Sequence, residues 1–191
     1  MEKNRLEAFS DGVLAIIITI MVLELKVPHG ADWAAIKPLL PVFLSYVLSF
    51  VYVGIYWNNH HHLIKACRRV NGKIMWANLH LLFWLSLLPF VSGWAGENHF
   101  APLPMAFYGA VLLLSGLAYF ILQTCIVAEQ GRDSKLAASL GKDWKGKLAP
   151  VLYVIGIGAS FFQPWIGAVI YVGVALMWLI PDQRVARVIQ E

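Results

Sequence analysis

Arg5, Glu7, Ser10 and Asp11 occupy the two turns that lead into the apolar run 13–23, and Thr19 lies inside that run. Ionisable and hydroxyl side chains at the head of a membrane-length apolar segment are costly in lipid. They usually face a bundle interior or a water-filled path. The chemistry on offer is therefore the handling of ions, and this segment is the first candidate for a conduction or transport pathway. A second cluster, Asn58-Asn59-His60-His61-His62, has the residue types of a metal site, because imidazole is the commonest metal ligand. Its spacing argues otherwise. Consecutive helical residues point about 100° apart, whereas helical metal sites use i,i+3 or i,i+4 pairs. His29, His80 and His99 stand singly and do not complete a second cluster. Packing or hydrogen bonding near the membrane interface is the expected role of these histidines.

The elements that must position these residues are membrane spans. Of 191 residues, 59% are hydrophobic and eight are Trp. A soluble domain is nearer ~45–50% apolar, and Trp gathers at membrane interfaces. The start Met-Glu-Lys-Asn-Arg lacks a signal-peptide pattern, and no small-residue cleavage site follows the first apolar run, so that span is expected to be retained. Cys67 and Cys125 do not make a disulfide framework and are read as free thiols.

Six apolar segments are expected to be spans, at 6–25, 39–60, 74–94, 103–127, 148–162 and 165–180, against a requirement of ~20 residues per span. The fifth is expected to begin near Trp144. The last two are joined by Gln163-Pro164 and read as a tight hairpin, with proline where a helix start tolerates it. Of the 15 Lys and Arg, all but Lys26 and Lys37 fall on one side of this arrangement. Lys3 and Arg5 precede the first span. Lys65, Arg68, Arg69 and Lys73 lie between the second and third. Arg132, Lys135, Lys142, Lys145 and Lys147 lie between the fourth and fifth, and Arg184 and Arg187 follow the sixth. This positive-inside pattern places both termini in the cytoplasm. It accounts for the net charge of +4 without a nucleic-acid partner. The expected fold is all-α: a single six-span transmembrane domain over 1–191, multi-pass in the cell's inner (plasma) membrane. No internal repeat occurs, so a symmetric pore requires several copies of the chain.

On a helical wheel Gly12, Ile16, Thr19, Ile20 and Leu23 fall within a sector of about 100°, with Asp11 about 140° from Ile16. Ser10 and Asp11 are expected to point into the subunit's own bundle, and the Ile/Leu stripe toward a symmetry axis. A buried Asp needs partners. Trp57, His60, Asn78 and His80 share its depth and can donate hydrogen bonds.

Arg5-x-x-x-Phe9-Ser10-Asp11 resembles the signature of the transmembrane protein 175 family of potassium channels. Trp57-x-x-His60, and Asn78 followed by Leu88-Pro89-Phe90, resemble the ends of that family's second and third helices. The resemblance covers the first three spans; the last three match in number and hydropathy. It implies a homotetramer of six-span subunits with the first helix lining a central pore. It also implies a constriction by rings of bulky apolar side chains in place of a Thr-Val-Gly-Tyr-Gly filter, which this chain lacks. The main ring would be Ile16, followed by Thr19, Ile20 and Leu23, the positions that the wheel selects independently. Potassium is then the permeant ion, no cofactor is expected, and the partners are the lipid bilayer and further copies of the chain. The function is non-enzymatic. The surplus histidines His61 and His62 have no counterpart in the motif.

Two other readings compete. A secondary transporter would show repeats or interrupted helices, for which Gly156, Gly158, Gly167 and Gly173 are the candidates, although such glycines commonly serve close helix packing. A histidine-metal membrane enzyme is the more distant alternative. Glu24 and Lys26 flank the stripe at its outer end, where they are read as interfacial charges.

Overall fold

The computed structural model describes residues 2–131 and 144–179. Its regular elements are all helical. They are α1 (Lys3–Leu23), the short α2 (Trp33–Ile36) with a 3-10 turn (Lys37–Leu39), α3 (Leu40–Ala66), α4 (Gly72–Leu85), α5 (Leu88–Glu97), α6 (Pro102–Gln130), α7 (Trp144–Phe162) and α8 (Pro164–Leu179). Among the described residues four stretches are long and apolar enough to cross a membrane: Lys3–Leu23, Trp33–Ala66, Gly72–Glu97 and Pro102–Gln130. Pro164–Leu179 is apolar but shorter.

Three expected boundaries are corrected. The third span is not one continuous helix. The chain tightens at Ser86 and Leu87, where the Leu87 amide reaches back only three residues, to the Trp84 carbonyl at 3.2 Å. Pro89 lacks an N–H and cannot continue the preceding ladder, so α5 restarts with proline in its first turn. The second span continues past His60 to Ala66, because Leu63 and Ile64 are fully buried and extend the apolar face. The fourth runs to Gln130 and stops at Gly131, whose φ of 93° suits glycine. The fifth starts at Trp144 and the sixth at Pro164. Arg132, Lys135, Lys142, Arg184 and Arg187, part of the expected cytoplasmic charge, lie outside the described residues.

α1 packs against α3, α4 and α5, while α6 pairs with α4 and α7, and α7 with α8. Lipid tails are as apolar as Leu, so helices in a membrane associate through close packing and hydrogen bonds rather than hydrophobic burial. Glycine supplies the close packing. A Cβ on Gly96 would stand 2.5 Å from the Val42 Cα, so α5 lies directly on α3. Tyr171 of α8 is inserted between Gly109 of α6 and Gly156 of α7, and a Cβ at either glycine would collide with its ring. Gly167 meets Ser160 and the Gly156 carbonyl across the hairpin. Gly158 and Gly173 touch nothing within 4 Å. Two of the four glycines considered as interruptions are thus packing positions inside continuous helices.

Candidate pore helix and the contacts that hold it

α1 has two faces. Leu6, Ser10, Leu14, Ile17 and Met21 are buried against the rest of the subunit, and their spacing of three and four residues is that of one helix stripe. The opposite face leaves the subunit uncovered. Phe9 is 51% exposed, Ile16 58%, Ile20 42% and Leu23 80%. Gly12 and Thr19 are exposed with them. The Thr19 hydroxyl donates to the Ile16 carbonyl of its own helix at 2.8 Å. Its proton is therefore committed, and its oxygen is presented as an acceptor.

The buried face is held by a chain of hydrogen bonds. Ser10 Oγ donates to the Leu6 carbonyl at 2.8 Å. It can then accept the Asn78 Nδ2 hydrogen at 2.9 Å. Asn78 Oδ1 is left to accept from His60 Nε2 at 2.7 Å. Ser10, Asn78 and His60 are all essentially sealed from the surface, so this chain ties α1, α4 and α3 together out of reach of water. Each such group left unpaired costs ~1–3 kcal/mol. The tautomer that donates at Nε2 leaves His60 Nδ1 as a lone pair, and that atom has no partner.

Asp11 sits at the edge of the bundle rather than inside it, and of its expected partners it takes Trp57. It is half-buried and its Oδ1 accepts the Trp57 Nε1 hydrogen at 3.1 Å, on the exposed side of the α1–α3 contact. Ser10 and Asp11 thus have separate partners. His80 pairs elsewhere, accepting from Trp84 at 2.9 Å. Arg5 and Phe9 are exposed. The three consecutive histidines diverge as helical geometry requires. His60 turns to Asn78. His61 Nδ1 lies 2.9 Å from Glu7 Oε1 and its ring stacks on Trp57. His62 meets His61 edge-on. Glu7 is the contact residue that the motif did not disclose. Its pairing joins the first turns of α1 to α3, as does the Lys3 Nζ bond to the Lys65 carbonyl at 2.7 Å. Only its place one turn before Ser10 hinted at a contact. Past the C-terminal end of α1, Lys26 pairs with Glu97 at 2.6 Å. That carboxylate raises the lysine above its usual pKa, and Glu24 remains exposed.

The family model described as "Endosomal/lysosomal potassium channel TMEM175" matches residues 5–89, the segment from Arg5 through Pro89 that carries the contacts of Glu7, Ser10, Asp11, Trp57, His60 and Asn78. A potassium channel of Chryseobacterium sp. (strain P1-3) is 56% identical over 191 residues, spanning all of both chains. The endosomal/lysosomal proton channel TMEM175 of Bos taurus is 28% identical over 159 residues, which is 74% of this chain and 33% of that one. The fold is shared with the crystal structure of a lysosomal potassium-selective channel TMEM175 homolog from Chamaesiphon minutus. The TM-score is 0.79 at 24% identity, covering 95% of this chain and 98% of that one. With the motif residues in contact and a 56% identical relative matched end to end, the chain belongs to the TMEM175 family of potassium channels.

Proposed function

We propose that this chain is the subunit of a homotetrameric, potassium-selective channel whose pore is lined by α1. The observation that carries this reading is the division of α1. One face is locked to the subunit through Ser10, Asn78 and His60. The other leaves Ile16, Thr19, Ile20 and Leu23 uncovered. One helix cannot enclose a path, and the chain holds a single copy of this helix. Four such helices bring Ile side chains together at an axis, whereas larger rings leave a wide hole. With both termini cytoplasmic, Gly12 leaves the inner entrance open below the Ile16 ring, in a multi-pass protein of the plasma membrane.

A ring of isoleucines provides no oxygen to replace hydration water. Passage then costs partial dehydration, and an apolar constriction also gates by dewetting. Potassium holds its shell less tightly than sodium, so the cost falls harder on sodium. The four Thr19 oxygens, their protons committed to Ile16, would receive the ion one turn outward. Discrimination of this origin is expected to be ~1–3 kcal/mol, as for other sites without matched polar ligands.

Planar-bilayer recording of purified protein with potassium on one side and sodium on the other tests the reading. The reversal potential should favour potassium, and Ile16→Asn should raise conductance and admit sodium. Unchanged selectivity in that variant would place the stripe against lipid. A reversal that follows a proton gradient instead would move the activity to the one named for the bovine relative. Cross-linking or mass photometry reports the subunit count, and a conducting monomer would return the path to a single bundle.

A further inference from the structure

Beside the helices that hold α1, a cleft of about 70 Å³ opens among α3, α6, α7 and α8. Its α3 wall is Tyr52, Ile55, Tyr56 and Asn59, which ends next to His60. Tyr119, also in its wall, donates to the Asn59 carbonyl at 3.2 Å. The other three tyrosines and the glutamine divide into two sets. Tyr52 and Tyr153 are satisfied: Tyr52 donates to the Tyr171 carbonyl at 2.6 Å, and Tyr153 donates to Tyr52 at 3.4 Å. Tyr56 and Gln123 are not. Each is 9% exposed, and neither side chain forms a hydrogen bond among the described residues. Their polar ends are not among the sealed unpaired atoms of the described residues; they open onto the cleft, where such groups pair with water or a ligand. Both line this one cleft.

The unmet groups state what is missing. Tyr56 offers one O–H donor, and Gln123 offers two N–H donors and a carbonyl acceptor. An occupant must both accept and donate, as a hydroxyl or an amide does. Among the described residues no Lys, Arg, Asp, Glu or His lines the cleft, so an ionic head would lose its hydration without gaining a counter-charge from them. The remaining wall, including Phe120, Pro150 and Trp178, suits a hydrocarbon chain. The geometry points to a binding site within each subunit for a neutral amphiphile, its hydroxyl or amide head on Tyr56 and Gln123 and its apolar tail along Tyr153, Phe120 and Trp178. Gly116 supplies the floor: a Cβ there meets only Tyr56 Oη at 3.7 Å and Tyr153 Cε2 at 3.9 Å, so a larger side chain grows into the cleft. The site does not depend on conduction.

Photolabelling tests it. The full chain in phosphatidylcholine liposomes is irradiated with a diazirine-bearing octanol, and the adducts are mapped by mass spectrometry. Adducts are expected on Tyr56, Gln123 and Tyr153, removed by excess 1-octanol and retained under the same concentration of ionised octanoate. Additional competition by a monoacylglycerol identifies a bilayer lipid as the natural source; competition by octanol alone identifies a small alcohol. Gln123→Leu keeps the shape and removes the amide, and should weaken octanol competition ~3–10-fold. Gly116→Leu should abolish the adducts. If Gly116→Leu does not fold, Gln123→Leu decides, because that replacement breaks no bond within the subunit. Labelling no stronger than at outward-facing Phe90 and Phe162, equal competition by octanoate, or adducts unchanged in the variants would overturn the proposal and leave the cleft to water alone.

Discussion

The α1 contact and the α6–α7–α8 group solve one problem by opposite means. Neither can rely on hydrophobic burial to bring helices together in lipid. α1 is joined to α3 and α4 by a directed chain, Leu6–Ser10–Asn78–His60, in which only His60 Nδ1 is left without a partner. Tyr171 joins α8 to α6 and α7 by shape, its ring lodged against Gly109 and Gly156, with a 3.3 Å bond from its hydroxyl to the Met105 carbonyl. Hydrogen bonds set the rotation of α1 and so decide which residues it presents outward. Gly–Tyr packing fixes distance. The region that must orient a functional face uses direction, and the region that scaffolds it uses close approach.

Substitutions separate the two. The largest effect is expected at Gly156→Leu, where even a Cβ would stand 2.5 Å from Tyr171 Cε1. Overpacking of that severity should cost ~3 kcal/mol or more, read as a lowered melting temperature in detergent. Combined with Tyr171→Ala it should lose less than the sum of the single losses, because the two sites share one contact. A full sum would show that shape is not what holds α8.

Asn78→Leu comes next, at about 2 kcal/mol, because it strips the partner from buried His60. Adding His60→Phe should recover part of that loss, since replacing both partners with apolar groups is milder than orphaning one. Stability unaffected by Asn78→Leu would mean that the chain of bonds does not orient α1.

Asp11→Ala should cost less than ~1 kcal/mol, because its partner Trp57 is half exposed and can turn to water. Thermal stability and reversal potential are measured together. Altered selectivity at unchanged stability would mean that Asp11 faces the ions and that the assignment of α1 faces is wrong. The smallest effect belongs to Gly158→Ala and Gly173→Ala, within ~0.5 kcal/mol and on the stabilising side, since alanine favours a helix and nothing stands within 4 Å. A large loss at either would reveal a subunit contact there.

Much of this was legible in the chain. Hydropathy located four of the six expected spans as membrane-length stretches of the described residues, because the bilayer core imposes a length and apolarity that composition reveals directly. The 100° periodicity of a helix separated Ser10 from the Ile16–Leu23 stripe, and the structure places Ser10 inside and Ile16 outside. The motif named Trp57, His60 and Asn78, and all three make the contacts that hold the first helix. Pro89 carried the signal for the break after α4, but hydropathy averages over such a turn and read it as one span.

Tertiary structure decided the pairing. Sequence supplies donors and acceptors at a common depth but no direction between helices. Only packing assigned Asn78 to Ser10, Trp57 to Asp11 and His61 to Glu7. It also sorted four similar glycines into two that admit a neighbour, Gly156 and Gly167, and two that touch nothing. It left Tyr56 and Gln123 facing one cleft without hydrogen-bond partners among the described residues, while Tyr52 and Tyr153 found theirs. Periodicity along one helix follows from local geometry and can be read from the chain. Contacts between helices depend on how far apart and at what rotation they settle, and those quantities exist only once the bundle has formed.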